Sequence, residues 1–394
     1  MNNQSRAWAE INLDAIAHNV QEIRRITNPH AEVMGVVKAD AYGHGVREVA
    51  NTLLENGVTR LAVSMADEAI ELRQDGITVP LLVLGYTDPS RADDIIDYDI
   101  TQTVFTHELA RALSERAVQR DTKIKVHVKI DTGMGRVGFL PGYSAVKDVM
   151  EISKLPGLVI EGMFTHFAVA DEGGDQDAYT LNQFELFNHI ATELSRVGIH
   201  IPVKHVANSA AIIRFPQMHL DMVRAGIILY GLHPSKVTDN GKIDLRPAMN
   251  FKARVTNVKT LEPGASVSYG RTYQTDSPSQ IATVSIGYAD GYLRAFSNRA
   301  DMVIHHERCP VRGRVCMDQC MVDVSNMESN VSIGDIVELF GENISVNELA
   351  EIANTINYEL ICLIGRRVPR IYYKDGCIYN VLNFIVKEEH EWLT

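Results

Sequence analysis

Hydrophobic and polar positions along the chain follow two different patterns, the first of which covers roughly the first 230 residues. Short runs of β-branched and apolar residues alternate there with amphipathic stretches. The clearest stretch is 180–198, in which Thr180 and Gln183 form a capping-box signature and Gly198 is the expected terminator. The pattern predicts strands near 33–37, 61–64, 81–84, 101–105, 124–130, 158–164, 203–206 and 220–223.

Eight alternations of strand and helix favour a parallel (β/α)8 barrel of the TIM type, with a doubly wound open sheet as the alternative. After Gly231 the pattern changes, because residues 233–247 are rich in turn formers and are typical of a linker. We therefore predict an α/β barrel domain over 1–240, whose first residues, to about 12, could pack with the second domain. The second domain, 241–394, is predicted to be mainly β, with one helix near 346–356 and strands near 252–258, 281–286, 302–305, 320–324 and 336–339.

Composition narrows the class of partner. The chain of 394 residues has 50 acidic and 38 basic residues and a formal net charge of -12, which disfavours nucleic acid and anionic lipid and favours a small molecule. Its five cysteines include no C-x-x-C pair, so we expect neither a disulfide framework nor a structural metal. The N-terminus has no signal-peptide core, and no stretch of about 18 apolar residues is present. A cytoplasmic enzyme is therefore expected.

Polar residues gather where the predicted barrel strands end. In a barrel these ends meet on one rim, which is where barrel enzymes place their sites. Taken singly, such residues are usually surface charges or hydrogen-bonded core histidines, so their convergence is the stronger argument. The residues are Lys38 and Tyr42 after strand one, Lys129 and Arg136 after strand five, His166 after strand six, Ser209 after strand seven and Arg224 after strand eight.

The fifth predicted strand carries an unusual face. Lys125, His127 and Lys129 alternate with apolar residues, although barrel strands are normally covered on both sides. Burying an unpaired ammonium is costly, so either this face borders solvent or another group neutralises Lys129. A functional reason for Lys129 is favoured.

The segments after strands seven and eight are suited to a phosphate. Asn208 and Ser209 supply polar side chains at a helix start, and Gly226 allows the backbone to approach an anion closely. Barrel proteins often bind phosphate at this position.

Seven segments in order resemble the alanine racemase family, and the resemblance covers nearly the whole chain. They are VVKADAYGHG from residue 36, KIDTGMGRVG from 129, ANSA from 207, VRAGI from 223, VSYGRTY from 267, RVCMDQC from 314 and NTINYEL from 354. The resemblance implies a pyridoxal 5'-phosphate (PLP) enzyme of fold type III, with a barrel followed by a β domain. It also implies a homodimer with shared active sites.

The resemblance assigns roles to individual residues. Lys38 would bind PLP covalently and act as one base, and Tyr269 of a second subunit would be the other. Arg136 would contact the ring hydroxyl and the substrate carboxylate, held by Lys129, which many members carry in carbamylated form. Arg224 would face the pyridine nitrogen, supported by His166, and the Met317 N–H would bind substrate. The phosphate would be held by Tyr42, Ser209, Gly226, Ile227 and Tyr358, with Asn208 and Asp318 as supporting residues and Asp171, Tyr288, Arg294, Arg314 and Ile356 along the entry corridor.

The implied activity is interconversion of L- and D-alanine, with D-alanine supplied for peptidoglycan. A racemase of broader range, acting on serine or other amino acids, stays open. A PLP decarboxylase of basic amino acids has a similar layout but is expected to place a carboxylate where Arg224 stands. A catalytically silent PLP carrier would resemble the barrel alone.

Overall fold

The computed structural model describes residues 5–386, which form two compact units. The barrel unit comprises residues 15–41 and 46–246, and the β unit comprises residues 5–14, 42–45 and 247–386. Strand β1 (Ala7–Asn12) belongs to the β unit. The barrel strands are β2 (Glu32–Val36), β3 (Arg60–Val63), β4 (Leu81–Val83), β5 (Thr101–Val104), β6 (Ile124–Lys129), β7 (Leu158–Phe164), β8 (Val203–His205) and β9 (Met222–Ala225).

Helices alternate with these strands. Thr106 and Asn208 cap two of them by accepting hydrogen bonds from Leu109 N and Ala211 N. The helices are α1 (Leu13–Ile26), α2 (Lys38–Gly43), α3 (Val46–Glu55), α4 (Ala66–Gln74), α5 (Ala92–Asp97), α6 (His107–Gln119), α7 (Tyr143–Ser153), α8 (Asp177–Arg196) and α9 (Ser209–Arg214).

Strands β2 to β9 form one parallel sheet in the order β8-β7-β6-β5-β4-β3-β2-β9. Its two outer strands are linked by backbone hydrogen bonds from Arg224 N to Ala207 O, 3.0 Å, and from Asp221 N to Lys204 O, 3.1 Å. The sheet therefore curls into a nearly closed barrel. The predicted (β/α)8 barrel is confirmed, and the open doubly wound sheet is wrong.

The predicted start of the helix near 180–198 is wrong, although Gly198 does follow its end. Helix α8 begins at Asp177, and Gln183 does not close a capping box. The Gln183 side chain is fully buried and bonds instead to Ala168 N, His166 O and Thr132 Oγ1. Gly198 has a φ of +82° and donates to Ser195 O, as a helix terminator does.

The β unit is built on a sheet with strand order β15-β14-β17-β10-β1-β18-β19, and β13 pairs with both β10 and β16. The N-terminal β1 lies inside this sheet, antiparallel to β10 and parallel to β18. The bounds are β10 (Met249–Leu261), β11 (Ser266–Val267), β12 (Tyr273–Gln274), β13 (Ser279–Val284), β14 (Asp301–Ile304), β15 (Glu307–Pro310), β16 (Cys320–Asp323), β17 (Ile336–Phe340), β18 (Arg370–Lys374), β19 (Cys377–Leu382), α10 (Val346–Ala353) and α11 (Asn357–Cys362).

The predicted mainly β character of this unit is confirmed, but the pattern missed several strands, including β1, β15, β18 and β19. Within residues 5–386, none of the helices combines the length and apolar character that crossing a membrane requires. The same part of the chain contains no group of three or more His, Cys, Asp or Glu residues arranged to hold a metal ion.

Candidate functional site

Lys38 follows strand β2 and opens a turn with unusual backbone geometry. Ala39, Asp40, Ala41 and Tyr42 all have φ between +52° and +53°, so α2 is a left-handed turn made of non-glycine residues. Left-handed helical geometry costs about 1–2 kcal/mol for each such residue. Strain of this kind persists where surrounding contacts impose it, and it concentrates at functional sites.

Hydrogen bonds hold the turn in place. The Ala39 N–H donates to Glu68 Oε1 at 2.6 Å, and Asp40 Oδ1 accepts from Val46 N at 2.7 Å. Glu68 also accepts from Ser64 N, so a single carboxylate ties the turn after β2 to the end of β3. The turn that begins at Lys38 is therefore held both by a local hydrogen bond and by a carboxylate from the following strand–helix segment.

The second half of the motif, residues 42–45, belongs to the β unit. A Cβ built on Gly43 would lie 2.2 Å from Ile361 O, and one on Gly45 would lie 1.7 Å from the Tyr372 hydroxyl, so glycine is required at both positions. The buried Arg370 donates to Gly43 O at 3.0 Å. The ring centroid of Tyr42 lies 6.1 Å from that of Tyr358, so two residues predicted from distant motifs share one location.

Arg224, at the barrel rim, is a buried side chain with several hydrogen-bond partners. It is 4% exposed, and it donates to the carbonyl oxygens of Thr165, Val206 and His205 at 2.9–3.2 Å. Its guanidinium also meets two ring nitrogens, Nδ1 of His205 at 3.0 Å and Nδ1 of His166 at 3.2 Å. Burial lowers the pKa of Arg224 to about 9, and the charge of Arg136 adds to this shift, yet the group remains protonated at neutral pH.

Lys129 is buried at the end of β6, whereas Lys125 at the start of the same strand is exposed. The Lys129 ammonium donates to Ile130 O at 3.0 Å and lies 5.5 Å from the centre of the Phe164 ring. Burial, reinforced by the charge of Arg224, lowers the pKa of Lys129 to about 7. A substantial fraction of this amine is therefore neutral at neutral pH.

Arg136 lies in a loop folded around Asp131. The Asp131 carboxylate accepts from Gly133 N, Gly135 N and Arg136 N at 3.0–3.1 Å. The Arg136 side chain is exposed, and within residues 5–386 no hydrogen bond joins it to Lys129. A protonated Lys129 would repel the Arg136 guanidinium, so the contact implied by the resemblance is disfavoured as long as Lys129 carries a positive charge.

A hydrogen bond joins two of the segments that the sequence predicts to hold a phosphate. The Asn208 side chain caps α9, and the Ser209 hydroxyl accepts from Gly226 N at 2.9 Å. Ile227 follows directly and is fully buried. The Ser209 hydroxyl and the Gly226 backbone thus lie side by side, although 17 positions separate the two residues in the sequence.

The β unit brings its own predicted residues into two groups. A Cβ on Gly270, next to Tyr269, would lie 3.0 Å from the Arg314 guanidinium. The Tyr288 N–H donates to Cys316 O at 3.1 Å, which ties Tyr288 to the segment that carries Met317. Elsewhere in the β unit, Asp318 accepts a hydrogen bond from Arg367 at 2.7 Å, Arg294 begins a short 3-10 helix, and Ile356 is exposed. In the barrel unit, the Asp171 carbonyl accepts a hydrogen bond from the Ser235 hydroxyl at 2.6 Å.

Sequence reasoning missed several polar residues in the barrel unit. The pattern places His205 in a strand but does not indicate its contact with Arg224, and it predicts a capping role for Gln183 that the structure does not show. The alternation of β6 marked His127 as unusual, but neither its partner nor Glu161 was identified. No local pattern indicates these contacts, because they join residues on different strands.

Comparison with known proteins confirms the resemblance. The alanine racemase N-terminal domain family matches residues 11–234, and the C-terminal domain family matches residues 248–372. The chain is 47% identical to alanine racemase 1 of Clostridium acetobutylicum over 382 residues, which is 96% of this chain and 98% of that protein.

Solved structures agree with the sequence comparisons. Alanine racemase of Clostridium difficile 630 has a TM-score of 0.93 at 43% identity, covering 97% of this chain and 100% of that one. Alanine racemase of Bacillus anthracis with bound L-Ala-P has a TM-score of 0.90 at 38% identity, covering 98% and 99% of the two chains. The chain belongs to the alanine racemase family of amino-acid isomerases.

Proposed function

We propose that this protein is a PLP-dependent racemase that interconverts L-alanine and D-alanine, with Lys38 and Tyr269 as its two bases. Family membership supports the substrate. The observation that carries the chemistry is Arg224, a buried arginine that within residues 5–386 forms no ion pair with a carboxylate. An arginine in that setting suits an acceptor that must not be protonated, such as a pyridine nitrogen.

The donor set of the barrel rim fits PLP. The cofactor carries an aldehyde, an anionic phosphate and a ring nitrogen that accepts hydrogen bonds, and the rim offers cations and N–H donors. Lys38 would bind the aldehyde carbon, and Arg224 would face the ring nitrogen. Ser209, Gly226, Ile227, Tyr42 and Tyr358 would hold the phosphate, with Asn208 fixing the helix that carries Ser209.

Each base serves one face of the substrate. When bound, PLP supplies delocalisation of the negative charge that forms at the α-carbon. Lys38 removes or returns the α-proton on the D face, and Tyr269 does so on the L face. Tyr269 is 71% exposed, which leaves its phenol available to a second copy of the chain, and the Arg314 guanidinium packs beside its neighbour Gly270. We propose that a homodimer shares its active sites in this way.

Arg224 sets the outcome of the reaction. Because its guanidinium stays protonated at neutral pH, it would donate a hydrogen bond to the ring nitrogen of bound PLP without transferring a proton. This contact would limit the charge that the ring can accept and would therefore disfavour transamination. A PLP decarboxylase is expected to place an acidic residue there instead, so Arg224 argues against that alternative.

Other residues bind or guide the substrate. We propose that the Met317 N–H and Arg136 bind its carboxylate, with Asp318 supporting the Met317 segment. Asp171, Tyr288, Arg294, Arg314 and Ile356 line the entry corridor in this proposal. On this view the predicted domain 1–240 supplies most of the cofactor contacts, and the predicted domain 241–394 supplies Tyr358 and the second base.

Lys129 is proposed to be carbamylated. Its lowered pKa leaves neutral amine to attack CO2, forming an N–C bond with loss of one proton, and the resulting anion would hold Arg136. Intact mass measured in bicarbonate buffer should exceed the mass in CO2-free buffer by one CO2, and Lys129→Met should abolish the difference. We further propose a cytoplasmic location and a role in supplying D-alanine for peptidoglycan, both on family resemblance.

The decisive experiment is chiral chromatography of an amino-acid panel incubated with the protein in heavy water. L-alanine should lose its α-proton and its optical purity together. Equal turnover of serine and larger amino acids would favour the broader racemase, and release of CO2 would identify a decarboxylase.

The cofactor lysine is tested separately. Lys38→Ala should lose the visible absorbance of covalently bound PLP, whereas Lys147→Ala, at an exposed helix position, should keep it. Retention of that absorbance in Lys38→Ala would refute the assignment of Lys38.

A further inference from the structure

A chain of hydrogen bonds leads away from Arg224 through the interior of the barrel. His205 Nδ1 lies 3.0 Å from Arg224 Nη1, and His205 Nε2 lies 2.8 Å from His127 Nδ1. His127 Nε2 in turn lies 3.1 Å from Glu161 Oε2. Both imidazoles are almost completely buried, so the chain joins an arginine to a carboxylate through two side chains shielded from water.

The local backbone is adapted to this chain. The register of β6 against β7 shifts so that Val126 pairs with Ile160 but His127 pairs with Gly162, which leaves Glu161 as a bulge residue. Gly162 provides space for the neighbouring ring, because a Cβ there would lie 2.6 Å from His127 Cε1 and Nδ1. A bulge and a glycine side by side are specific requirements of this arrangement, and an ordinary pair of strands needs neither.

The two ends of this chain of hydrogen bonds, Arg224 and Glu161, determine which ring nitrogens of the two histidines carry protons. A guanidinium only donates, and an ionised carboxylate only accepts. The hydrogen bond from His127 lowers the pKa of Glu161 to about 2, while burial lowers the pKa of both histidines, so each imidazole is neutral. His127 must then carry its proton on Nε2, facing Glu161, and His205 must carry its proton on Nε2, facing His127. This leaves His205 Nδ1 as an acceptor toward Arg224.

Charge supports the same conclusion. Arg224 is buried, and its hydrogen-bond partners are neutral carbonyls and imidazoles. A buried charge is costly without compensation. Glu161 is the carboxylate that the chain of hydrogen bonds reaches, and it also pairs with Arg60 at 3.0 Å.

We propose that Glu161 is a positioning residue that acts on Arg224 through His127 and His205, by fixing both tautomers and polarising His205 Nδ1 toward the guanidinium. The proposal rests on the proposed function for its catalytic consequence: Arg224 stays oriented and protonated where it faces the cofactor ring. The predicted tautomers of His127 and His205 do not depend on the proposed function.

The tautomers can be read directly by ¹⁵N NMR of deuterated protein labelled at histidine, in the absence of cofactor. His127 and His205 should both show a protonated Nε2 and an unprotonated Nδ1 at neutral pH. Glu161→Leu, which removes the acceptor, should convert this into a mixture of tautomers. Glu161→Gln keeps an accepting oxygen and should retain the original pattern. A proton on His205 Nδ1 in the unsubstituted protein would overturn the proposal.

Kinetics provide the second test, with a matched control at the same end of the barrel. Glu161→Leu should lower the kcat for alanine racemisation about tenfold, as expected for loss of roughly 1.4 kcal/mol from a charge-assisted network, with little change in KM. Glu161→Gln keeps an accepting oxygen but loses the charge, so its kcat should lie between those of Glu161→Leu and the unsubstituted protein. Glu32→Leu also removes a carboxylate that pairs with Arg60, at 2.8 Å, but it leaves the partners of His127 in place. This control variant should therefore keep its kcat.

The possible outcomes separate this proposal from the proposed function. Unchanged tautomers and unchanged kcat in Glu161→Leu would reject the role of Glu161 even in an active racemase. The predicted tautomer pattern in a protein that racemises no amino acid would support the role of Glu161 and reject the proposed function.

Discussion

The imidazole of His127 occupies the space that a side chain at Gly162 would need, with only 2.6 Å between its ring atoms and the position of a Cβ there. We therefore expect Gly162→Ala to lower the free energy of unfolding by about 1–3 kcal/mol, the usual cost of overpacking. Chemical denaturation measures this cost. In a His127→Ala background the clash is absent and the same substitution should cost little. An equal cost in both backgrounds would contradict the steric explanation.

Gln183 should be important for stability although it lies on a helix with many exposed positions. Replacing it with leucine leaves the partly buried Ala168 N–H and His166 C=O without their partner, which should lower the free energy of unfolding by about 1–2 kcal/mol. Asn182→Leu, at the exposed neighbouring position of α8, should change it by no more than about 0.5 kcal/mol. Similar effects of the two substitutions would show that the hydrogen bonds of Gln183 do not contribute to the free energy of unfolding.

The left-handed turn after Lys38 offers a stabilising substitution. Ala39 is exposed and has a φ of +53°, so Ala39→Gly should relieve strain without loss of packing. After allowance for the entropy of glycine, we expect a gain of about 0.5–1 kcal/mol in the free energy of unfolding. Ala112→Gly, within the right-handed helix α6, should instead cost about 1 kcal/mol. Thermal denaturation of both variants tests the prediction, which fails if both are destabilised alike.

Lys129 should make stability depend on pH in CO2-free buffer. Its folded pKa of about 7 lies below the ordinary value of 10.5, so the unfolded chain binds more protons between these pH values and stability rises there with pH. Below about pH 7 the lysine is protonated in both states and the cost of its burial is fully present. Lys129→Met should remove this cost, up to about 5 kcal/mol, and should flatten the rise.

Denaturation curves recorded from pH 6 to pH 10 provide the comparison for Lys129. Lys125→Met, at the exposed start of the same strand, should leave the pH dependence unchanged. A Lys129→Met curve that runs parallel to that of the unsubstituted protein would exclude the proposed titration.

Arg224→Glu should redirect the chemistry. In the proposed site a carboxylic acid at position 224 would face the ring nitrogen and could share a proton with it, which would strengthen charge flow into the ring and should raise transamination relative to racemisation at least tenfold. Arg224→Lys retains a cation and should raise it less. Pyruvate and racemised alanine, quantified in the same reaction, give the ratio, and an unchanged ratio would remove the reason for an arginine at this position.

Much of the fold could be predicted because the apolar positions in the sequence pattern are the ones that the barrel buries. The eight barrel strands were predicted to within about two residues of their observed bounds, since short apolar runs between amphipathic helices have few other solutions. The N-terminal strand β1 was missed because its pairing partners, β10 and β18, lie more than two hundred residues away in the sequence. The start of α8 was misplaced because Gln183 satisfies its polar groups through tertiary contacts.

The sequence by itself determined which residue types follow each barrel strand, and through its motifs it determined the family of the chain. It also marked β6 as unusual, because a strand with Lys and His on one face cannot be an ordinary buried strand. Only the tertiary structure decided that Arg224 bonds to His205, that His205 bonds to His127, and that Glu161, the bulge residue, bonds to His127. The physical reason is that the direction of a hydrogen bond depends on what lies at both ends of a network, and those ends come together only when the barrel closes.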